Sequence, residues 1–365
     1  MLYQLSYSGS AQKGYAAPAV RENPAVVAEL SERDRAFTWR DGERAIVFRS
    51  AVVSEAHDVL AAEGFERFDL LTTPRAVASA PVELPERALS VQYVAQGQVP
   101  EVAAEVAERA SARDLVALGG GRVIDVAKAI AAARGGRVAA IPTTLSGAPM
   151  TAFHRLPAGV LEGRRVRPAL VLADPPLMAS LGEPRLRATA MNALAHGAEA
   201  LYGPLANPLA TLAALRGAAL MSGALLAEPA SRDLEALALG ALLCSYAVGS
   251  ALYGFHHVVC QSIVRVMGTP HAETNAAMLP RTLRVMRERE PAAIAALARA
   301  LGVEPGRLAQ RVERLGGGRR RLRDLGAEEA QVADVVKAIL ARPELRRTPD
   351  PPGAAELEAL VESAL

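Results

Sequence analysis

Four side chains in the C-terminal half of this 365-residue sequence have types and spacings suited to ligand binding or acid-base chemistry. Asn192 and His196 are four residues apart in an Ala/Leu-rich run, and on a helix this spacing places both on one face. A helix presents two ligands to one ion in this way. His257 follows His256, and His271 lies in PHAETNAAMLP. Because four of the six histidines fall between positions 196 and 271, we expect a shared site rather than isolated core histidines.

The composition favours a soluble protein of two domains. A chain of 365 residues exceeds the roughly 100 to 200 residues of one domain. No unbroken apolar run approaches the roughly 20 residues that cross a bilayer, and the N-terminus lacks the basic start and apolar core of a signal peptide. We therefore expect a cytoplasmic protein that does not contact membranes.

The net charge and the cysteine content argue against two further classes of protein, those that bind nucleic acid and those held together by disulfides. The formal net charge is only +2, which argues against a broad electrostatic surface for nucleic acid. The only cysteines, Cys244 and Cys260, lie in apolar helical surroundings. Two buried thiols in a reducing compartment explain them better than a disulfide. We expect a small-molecule substrate.

The elements that must position the four side chains divide the chain in two. The first half alternates short β-rich runs with helical stretches, which is the pattern of parallel βαβ units. After Pro184 almost every segment has helical period, and no strand is expected. We predict an unassigned arm at 1–36, an α/β domain at 37–183 and an all-helical domain at 184–365. The predicted strands lie at 45–50, 68–74, 89–95, 114–121, 137–144 and 168–175.

Two turns that follow strands in the first half are suited to binding a nucleotide. Gly119, Gly120 and Gly121 follow a buried strand and open a helix, where backbone amides and the helix N-terminus favour a phosphate. The next strand ends in a polar turn that contains Thr143 and Thr144. In an open parallel sheet, ligands bind beyond the carboxyl ends of the strands. The two turns together predict one nucleotide groove.

Six segments, taken in order, resemble the motifs of the iron-containing alcohol dehydrogenase superfamily: GGGRVIDVAK, IPTTLSGAPMT, ADPPLMASL, NALAHGAEA, GFHHVVCQ and PHAETNAAMLP. The HH-x-x-C and PHAET forms are similar to those of maleylacetate reductases. The resemblance implies the fold shared with dehydroquinate synthase. In that fold an α/β Rossmann-like N-terminal domain binds NAD(P)(H), an all-α C-terminal domain follows, and the active site lies in the cleft between them. It also implies a homodimer.

The resemblance implies cofactor contacts at both turns. The three glycines would contact the pyrophosphate, and Thr143 and Thr144 would line the nucleotide site. Asp125 either contacts the ligand or, with Lys128, fixes the glycine turn.

An early strand bears on the choice of cofactor. It ends in Thr72, Thr73 and Pro74, where many relatives carry an acidic residue for the adenosine ribose. Without that carboxylate a 2′-phosphate is not repelled, so we expect NADPH to be accepted alongside NADH.

The metal ligands of the superfamily correspond here to Asn192, His196, His257 and His271. Asparagine stands where the family has aspartate, which removes one full negative charge and leaves a weak carbonyl ligand. This disfavours iron. Three histidines still suffice for a catalytic zinc with an open position. The sequence therefore leaves two interpretations, a metal-free site and a zinc site held by His196, His257 and His271.

The leading functional hypothesis is a maleylacetate reductase-like enzyme that passes hydride from NAD(P)H to a small, carboxylated oxo or unsaturated substrate. In a metal-free site, imidazoles and Asn192 would meet the developing negative charge, with His257 as proton donor. The alternatives are a zinc-dependent alcohol dehydrogenase, a non-redox cyclase or lyase on the same fold, and a catalytically dead homologue.

Overall fold

The computed structural model describes residues 30–80 and 83–365. Most of the arm predicted at 1–36 therefore lies outside the described residues. The strands are β1 Phe37–Asp41, β2 Arg44–Phe48, β3 Phe68–Thr72, β4 Ser90–Tyr93, β5 Asp114–Gly119, β6 Val138–Pro142 and β7 Leu170–Ala173. The helices are α1 Glu32–Arg35, α2 Ala56–Ala62, α3 Pro74–Ser79, α4 Leu84–Arg87, α5 Val99–Arg109, α6 Gly121–Arg134, α7 Pro175–Met178, α8 Glu183–Tyr202, α9 Pro208–Leu226, α10 Leu234–Ala251, α11 Phe255–Met267, α12 His271–Arg289, α13 Pro291–Ala300, α14 Leu308–Leu315, α15 Val332–Leu340 and α16 Ala354–Glu362.

The strands form one sheet in the order β1-β2-β7-β6-β5-β3-β4. All neighbours from β2 to β4 are parallel, as the alternating pattern predicts, so their carboxyl ends share one edge. The chain passes from β3 outward to β4 and then returns to the other side of β3 as β5. The direction of winding thus reverses between β3 and β5. This is the topological switch point, where open α/β sheets bind their ligands.

All six predicted strands are present, and the sequence analysis missed a seventh. β1 pairs antiparallel with β2 through a short turn at Gly42, where φ is +63°. Its residues alternate between half-buried and exposed, as on an edge strand. Its two-residue loop, Gly42-Glu43, begins with glycine, which is a hairpin signal that would have located it.

The central strands are apolar on both faces because helices cover both sides of the sheet. On one face, Leu115 and Ala117 of β5 pack with α5 and α6 residues such as Val106 and Ile130. On the other face, Val116 and Leu118 belong to a cluster with Leu60 of α2 and Phe68 of β3. The sheet edge is thereby held rigidly for the turns that leave it.

Residues 174–365 are all described and contain helices but no strand, as the helical period of the sequence predicts. α8 is buried along most of its length, with α9, α10 and α12 packed on it. α9 and α10 are also long and apolar enough to cross a membrane, which the sequence analysis did not recognise. Their apolar windows are 50% and 67% buried within the protein, as expected for core helices.

Candidate active site

The glycine turn and the threonine turn pack directly against each other at the carboxyl edge of the sheet. A Cβ added to Gly120 would lie 3.0 Å from Cγ2 of Thr144, and one added to Gly121 would lie 3.0 Å from Oγ of Ser146. A Cβ at Gly119 would be 2.6 Å from Cγ2 of Val123, within the same turn. The glycines are therefore required for close approach. That the N-terminal amides of α6 bind a phosphate stays a prediction.

Two hydroxyls of the second turn remain available for a ligand. Oγ1 of Thr144 and Oγ of Ser146 are buried and have no hydrogen-bond partner among the described residues. Thr143 is fully buried, and its Oγ1 accepts a hydrogen bond of 2.9 Å from Nη2 of Arg75. Because buried polar atoms are nearly always paired, the two free hydroxyls indicate a polar ligand here.

The end of β3 supports the groove rather than lining it with free side chains. Thr72 is fully buried, and its Oγ1 donates to the carbonyl of Leu118 at 2.9 Å. Pro74 begins α3, whose N-terminus is capped by Thr73 through a 3.2 Å hydrogen bond from the amide of Ala76. Thr72 thus stabilises the strand ends and does not face the groove.

Lys128 joins the two turns. Its ammonium is fully buried and lies 2.8 Å from Oδ1 of Asp125. It donates to the carbonyls of Ala148, Thr151 and Phe153 at 3.0, 3.1 and 2.8 Å. Burial lowers its pKa, which the charge of Asp125 partly opposes. Of the two interpretations in the sequence analysis, these contacts favour the one in which Asp125 and Lys128 fix the turns.

Gly147 connects the nucleotide groove to the histidines. A Cβ at this position would lie 2.6 Å from Cε1 of His196 and 3.3 Å from Oγ of Ser245. The threonine turn therefore runs into van der Waals contact with α8 and α10. The turn that follows β6 and the histidine cluster are therefore neighbours.

The cluster itself combines α8 and α11. The rings of His196 and His257 are nearly parallel, at 7°, with centroids 4.5 Å apart. Asn192 lies one helical turn before His196, and all three side chains are buried. Within the described chain, Oδ1 of Asn192, Nδ1 of His196 and Nε2 of His257 have no hydrogen-bond partner. Three buried polar atoms are thus free to bind one ligand.

Glu199 organises this cluster, and the sequence analysis did not identify it. Oε1 accepts from the backbone amides of Gly254 and His257 at 3.1 and 3.3 Å, and Oε2 contacts Nδ1 of His257. The carboxyl is 1% exposed, and burial raises its pKa to about 7. The available signal was its position three residues after His196, on nearly the same helix face.

Burial favours the uncharged form of both members of the Glu199–His257 pair. It lowers the pKa of His257 to about 3 and raises that of Glu199, so the uncharged form of each is favoured. A protonated Glu199 donates to Nδ1 of His257, which leaves the ring hydrogen on Nε2. That nitrogen is the free one.

His256 differs from its neighbour because both of its nitrogens are paired. Nδ1 lies 2.9 Å from Oγ1 of Thr282, and Nε2 lies 2.9 Å from Oδ1 of Asn275. Sγ of Cys260 is 3.5 Å from Nε2. Of the two adjacent histidines, only His257 has a ring nitrogen without a partner among the described residues.

His271 lies at the first position of α12, more exposed than the others. Its Nε2 is 3.4 Å from Nδ2 of Asn275. Burial lowers the pKa of His196 well below its ordinary value, and His257 and His271 lower it further. His271 is therefore close to the cluster.

The arrangement does not fit a metal ion held by His196, His257 and His271. Imidazole lone pairs lie in the ring plane, and stacked rings cannot direct them to one point. Among the residues that the structure describes, no group of three or more His, Cys, Asp and Glu side chains is placed to hold a metal. Asn192 also contributes no charge. Of the two interpretations that the sequence leaves open, the geometry therefore favours the metal-free site over the three-histidine zinc site, and no chemical step is assigned to a metal.

Comparison with known proteins gives consistent matches over most of the chain. The family model described as iron-containing alcohol dehydrogenase matches residues 47–153, and the one described as Fe-containing alcohol dehydrogenase family, C-terminal, matches residues 187–365. Maleylacetate reductase of Pseudomonas aeruginosa is 34% identical over 246 residues, 65% of this chain and 70% of that protein.

Solved structures share the fold. Maleylacetate reductase from Agrobacterium tumefaciens has a TM-score of 0.78 and 28% identity, and the match covers 90% of this chain and 98% of that one. Sulfoacetaldehyde reductase from Bifidobacterium kashiwanohense, solved in complex with NAD+, has a TM-score of 0.71 and 20% identity, and the match covers 87% and 96%.

Proposed function

Because this chain belongs to the iron-containing alcohol dehydrogenase family and is an NAD(P)-dependent oxidoreductase, we propose that it reduces a small carboxylated oxo or unsaturated substrate with NAD(P)H. The observation that carries this proposal is the contact of Gly147 with His196. It brings the turn that follows the nucleotide groove to the histidine cluster. A nicotinamide ring lying along the turn would meet a substrate held by Asn192, His196 and His257.

The proposed substrate class follows from the named relatives. Maleylacetate is a dicarboxylate in which a carbon-carbon double bond is conjugated to a ketone. Hydride addition to that double bond places negative charge on the enolate oxygen. His196 donates a hydrogen bond to this oxygen through Nδ1, the nitrogen without a protein partner. The NH2 group of Asn192 is the proposed second donor, since its unpaired Oδ1 can only accept. We therefore propose maleylacetate, or a similar oxo diacid, as the substrate.

His257 supplies the proton that completes the reduction. Its Nε2 transfers hydrogen to the enolate while Glu199 transfers its own hydrogen to Nδ1. The ring stays neutral, and the carboxylate that forms regains a proton from solvent. Glu199 is a positioning residue in this step, because it fixes the ring and the tautomer without touching the substrate. General acid catalysis of this kind contributes about 10²-fold to 10⁴-fold.

The direct test is an assay of the purified protein with maleylacetate and either NADPH or NADH, following nicotinamide absorbance and the reduced product. We expect stoichiometric loss of the reduced cofactor and formation of the saturated oxo diacid. Turnover of a substrate without net change in absorbance would instead support a cyclase or lyase. Failure to bind either cofactor would support a dead homologue.

A metal-independence test separates the two site interpretations. We expect protein purified without added metal to hold less than one equivalent of zinc or iron, and to keep its activity after exhaustive chelation. Loss of activity on chelation, restored by zinc, would support the zinc-dependent alcohol dehydrogenase instead.

Three further properties belong to this proposal. We propose that the chain divides into an arm at 1–36, an α/β domain at 37–183 and a helical domain at 184–365. Catalysis would take place in the cleft between the two domains. We propose a cytoplasmic location, supported by two free buried cysteines among the described residues. The family resemblance supports a homodimer, which light scattering of the purified protein would test.

A further inference from the structure

The chain that follows the threonine turn is buried although it belongs to no helix or strand. We call residues 147–153 the return segment, because it begins the path from β6 back to β7. Residues 147–151 are buried, and residues 152 and 153 are half-buried. Its Met150 amide donates to the carbonyl of Gly147 at 3.0 Å. Buried backbone outside regular structure must find other partners for its polar groups, so the partners of its carbonyls need an explanation.

Arg44, the first residue of β2, supplies one of these partners. Its Nη2 donates to the carbonyl of Pro149 at 2.5 Å and lies 3.2 Å from Sδ of Met150. Its Nε donates to the carbonyl of Pro168 at 3.1 Å, just before β7. One guanidinium therefore joins the return segment to the amino ends of β2 and β7.

Lys128 of α6 supplies the others, through its three hydrogen bonds to backbone carbonyls. Together the ammonium and the guanidinium bind four of the six carbonyls from 148 to 153. The shape of the return segment is thus fixed by two buried cations rather than by a backbone ladder.

No ion pair explains the burial of Arg44. The residue is 5% exposed, and none of the carboxylates in the described chain accepts a hydrogen bond from it. Burial lowers its pKa to about 10, and the charge of Arg167 lowers it further, so the group stays charged near neutral pH. Burying a charge without an opposite charge opposes stability. A role in positioning the backbone accounts for Arg44 better than a role in stability.

The return segment also contacts the helices that carry the site. A Cβ added to Gly249 of α10 would lie 3.4 Å from the carbonyl oxygen of Met150 and 3.7 Å from Cγ2 of Thr151. At its first residue, Gly147 contacts His196 as described above. A shift of the segment would therefore move Gly147 relative to His196. Misplacement by about 1 Å near reacting groups can cost about 100-fold in rate.

We propose that Arg44 is a positioning residue for hydride transfer. Through the carbonyl of Pro149, and together with Lys128, it holds the return segment so that Gly147 stays against His196. This inference rests on the proposed reductase function, since it assigns the segment to the place where nicotinamide and substrate meet. Arg44 acts through the segment and is assigned no contact with either ligand.

Three variants test the role of Arg44. Arg44→Met removes the charge and the donors, whereas Arg44→Lys keeps a charge and a donor for Pro149. Arg281→Met is the matched control. Arg281 is also 5% exposed, and its hydrogen bonds go to backbone carbonyls outside the return segment, those of Ala277, Arg320 and Ser363.

Steady-state kinetics with maleylacetate and NADPH give the first readout. We expect Arg44→Met to lower kcat by about 10-fold to 100-fold. The primary isotope effect on kcat with deuterated NADPH should rise, because hydride transfer becomes slow relative to product release. Arg44→Lys should recover kcat to within about threefold of the wild type, and Arg281→Met should change kcat by less than about twofold with the isotope effect unchanged.

Hydrogen exchange gives a second readout that needs no substrate. In the wild type the amide of Met150 is bonded to the carbonyl of Gly147. Mass spectrometry of peptides that cover residues 147–153 should show exchange at least about tenfold faster in Arg44→Met. The same peptides of Arg281→Met should exchange at the rate of the wild type.

An active Arg44→Met variant with unchanged kcat and isotope effect would overturn the inference. So would an equal loss of kcat in Arg281→Met, or unchanged exchange of the return segment in Arg44→Met. The proposed function fails in a different way, when the wild type does not oxidise NADPH with maleylacetate. In that case the exchange comparison still decides whether Arg44 holds the segment.

Discussion

The nucleotide groove and the histidine cluster meet at Gly147, yet they are assembled by different means. The groove is formed by backbone and small side chains between residues 119 and 153, and its shape depends on glycines that exclude a Cβ. The cluster is formed by long polar side chains from α8, α11 and α12, oriented by one buried carboxyl, Glu199. The groove therefore requires close packing, and the cluster requires correct placement of a proton.

This difference predicts how each region responds to substitution. Damage to the groove should appear first in cofactor binding and in stability. Damage to the cluster should appear in kcat and in its dependence on pH.

The largest effect is expected for His257→Ala. It removes the proton donor but leaves the groove intact, so kcat should fall by about 10²-fold to 10⁴-fold while NADPH affinity changes little. Steady-state kinetics and calorimetry measure the two quantities. His57→Ala is the control. His57 is exposed on α2, so its substitution should change neither kcat nor NADPH affinity. If His257→Ala lowered NADPH affinity by the same factor as kcat, the groove and the cluster would not have separate roles.

Lys128→Met should produce the next largest effect, and it acts on the groove. The substitution leaves Asp125 and three loop carbonyls without their donor, which should lower the free energy of unfolding by about 3 kcal/mol. Cofactor affinity should fall with it. Chemical denaturation is the measurement, and Lys337→Met, at an exposed position, should stay within about 0.5 kcal/mol of the wild type. An unchanged denaturation midpoint for Lys128→Met would show that the contacts of this buried ammonium with the two turns do not stabilise the protein.

The smallest effect, and the most specific, is expected for Glu199→Gln. The protonated carboxyl is the active form and its pKa is raised to about 7, so wild-type kcat should be level below this pH and fall above it. Glutamine keeps the acceptor for the amides of Gly254 and His257 but does not titrate. We expect kcat to be about tenfold lower and the inflection near pH 7 to disappear, with KM unchanged.

A purely structural role for Glu199 would give a different profile. The variant would then lose activity equally at every pH and keep the inflection of the wild type.

Most of the fold was predictable because its signals are local. Six strands were located from apolar runs, and the two turns from glycines and hydroxyls that follow a strand. β1 was missed because alternating exposure at an edge strand gives a weak apolar signal. The membrane-like composition of α9 and α10 was also missed, since Arg216 interrupts the apolar run of α9 and small and polar residues interrupt that of α10.

The histidines were predictable as a group, but their roles were not. His256 and His257 are adjacent in sequence, but their partners differ. Asn275 and Thr282 pair with both nitrogens of His256, whereas Glu199 pairs with Nδ1 of His257 and leaves its Nε2 free. The parallel rings of His196 and His257 likewise depend on how α8 meets α11. Contacts between distant helices carry this information, and spacing along the chain does not.

A crystal structure of the complex with NADPH and an unreactive substrate analogue tests the central claim most directly. The account predicts the nicotinamide ring beside Gly147. It also predicts the oxygen of the analogue within hydrogen-bond distance of Asn192 and His196, and Nε2 of His257 facing the carbon that is protonated. A metal ion coordinated by His196, His257 and His271, or a nicotinamide ring remote from Gly147, would contradict it.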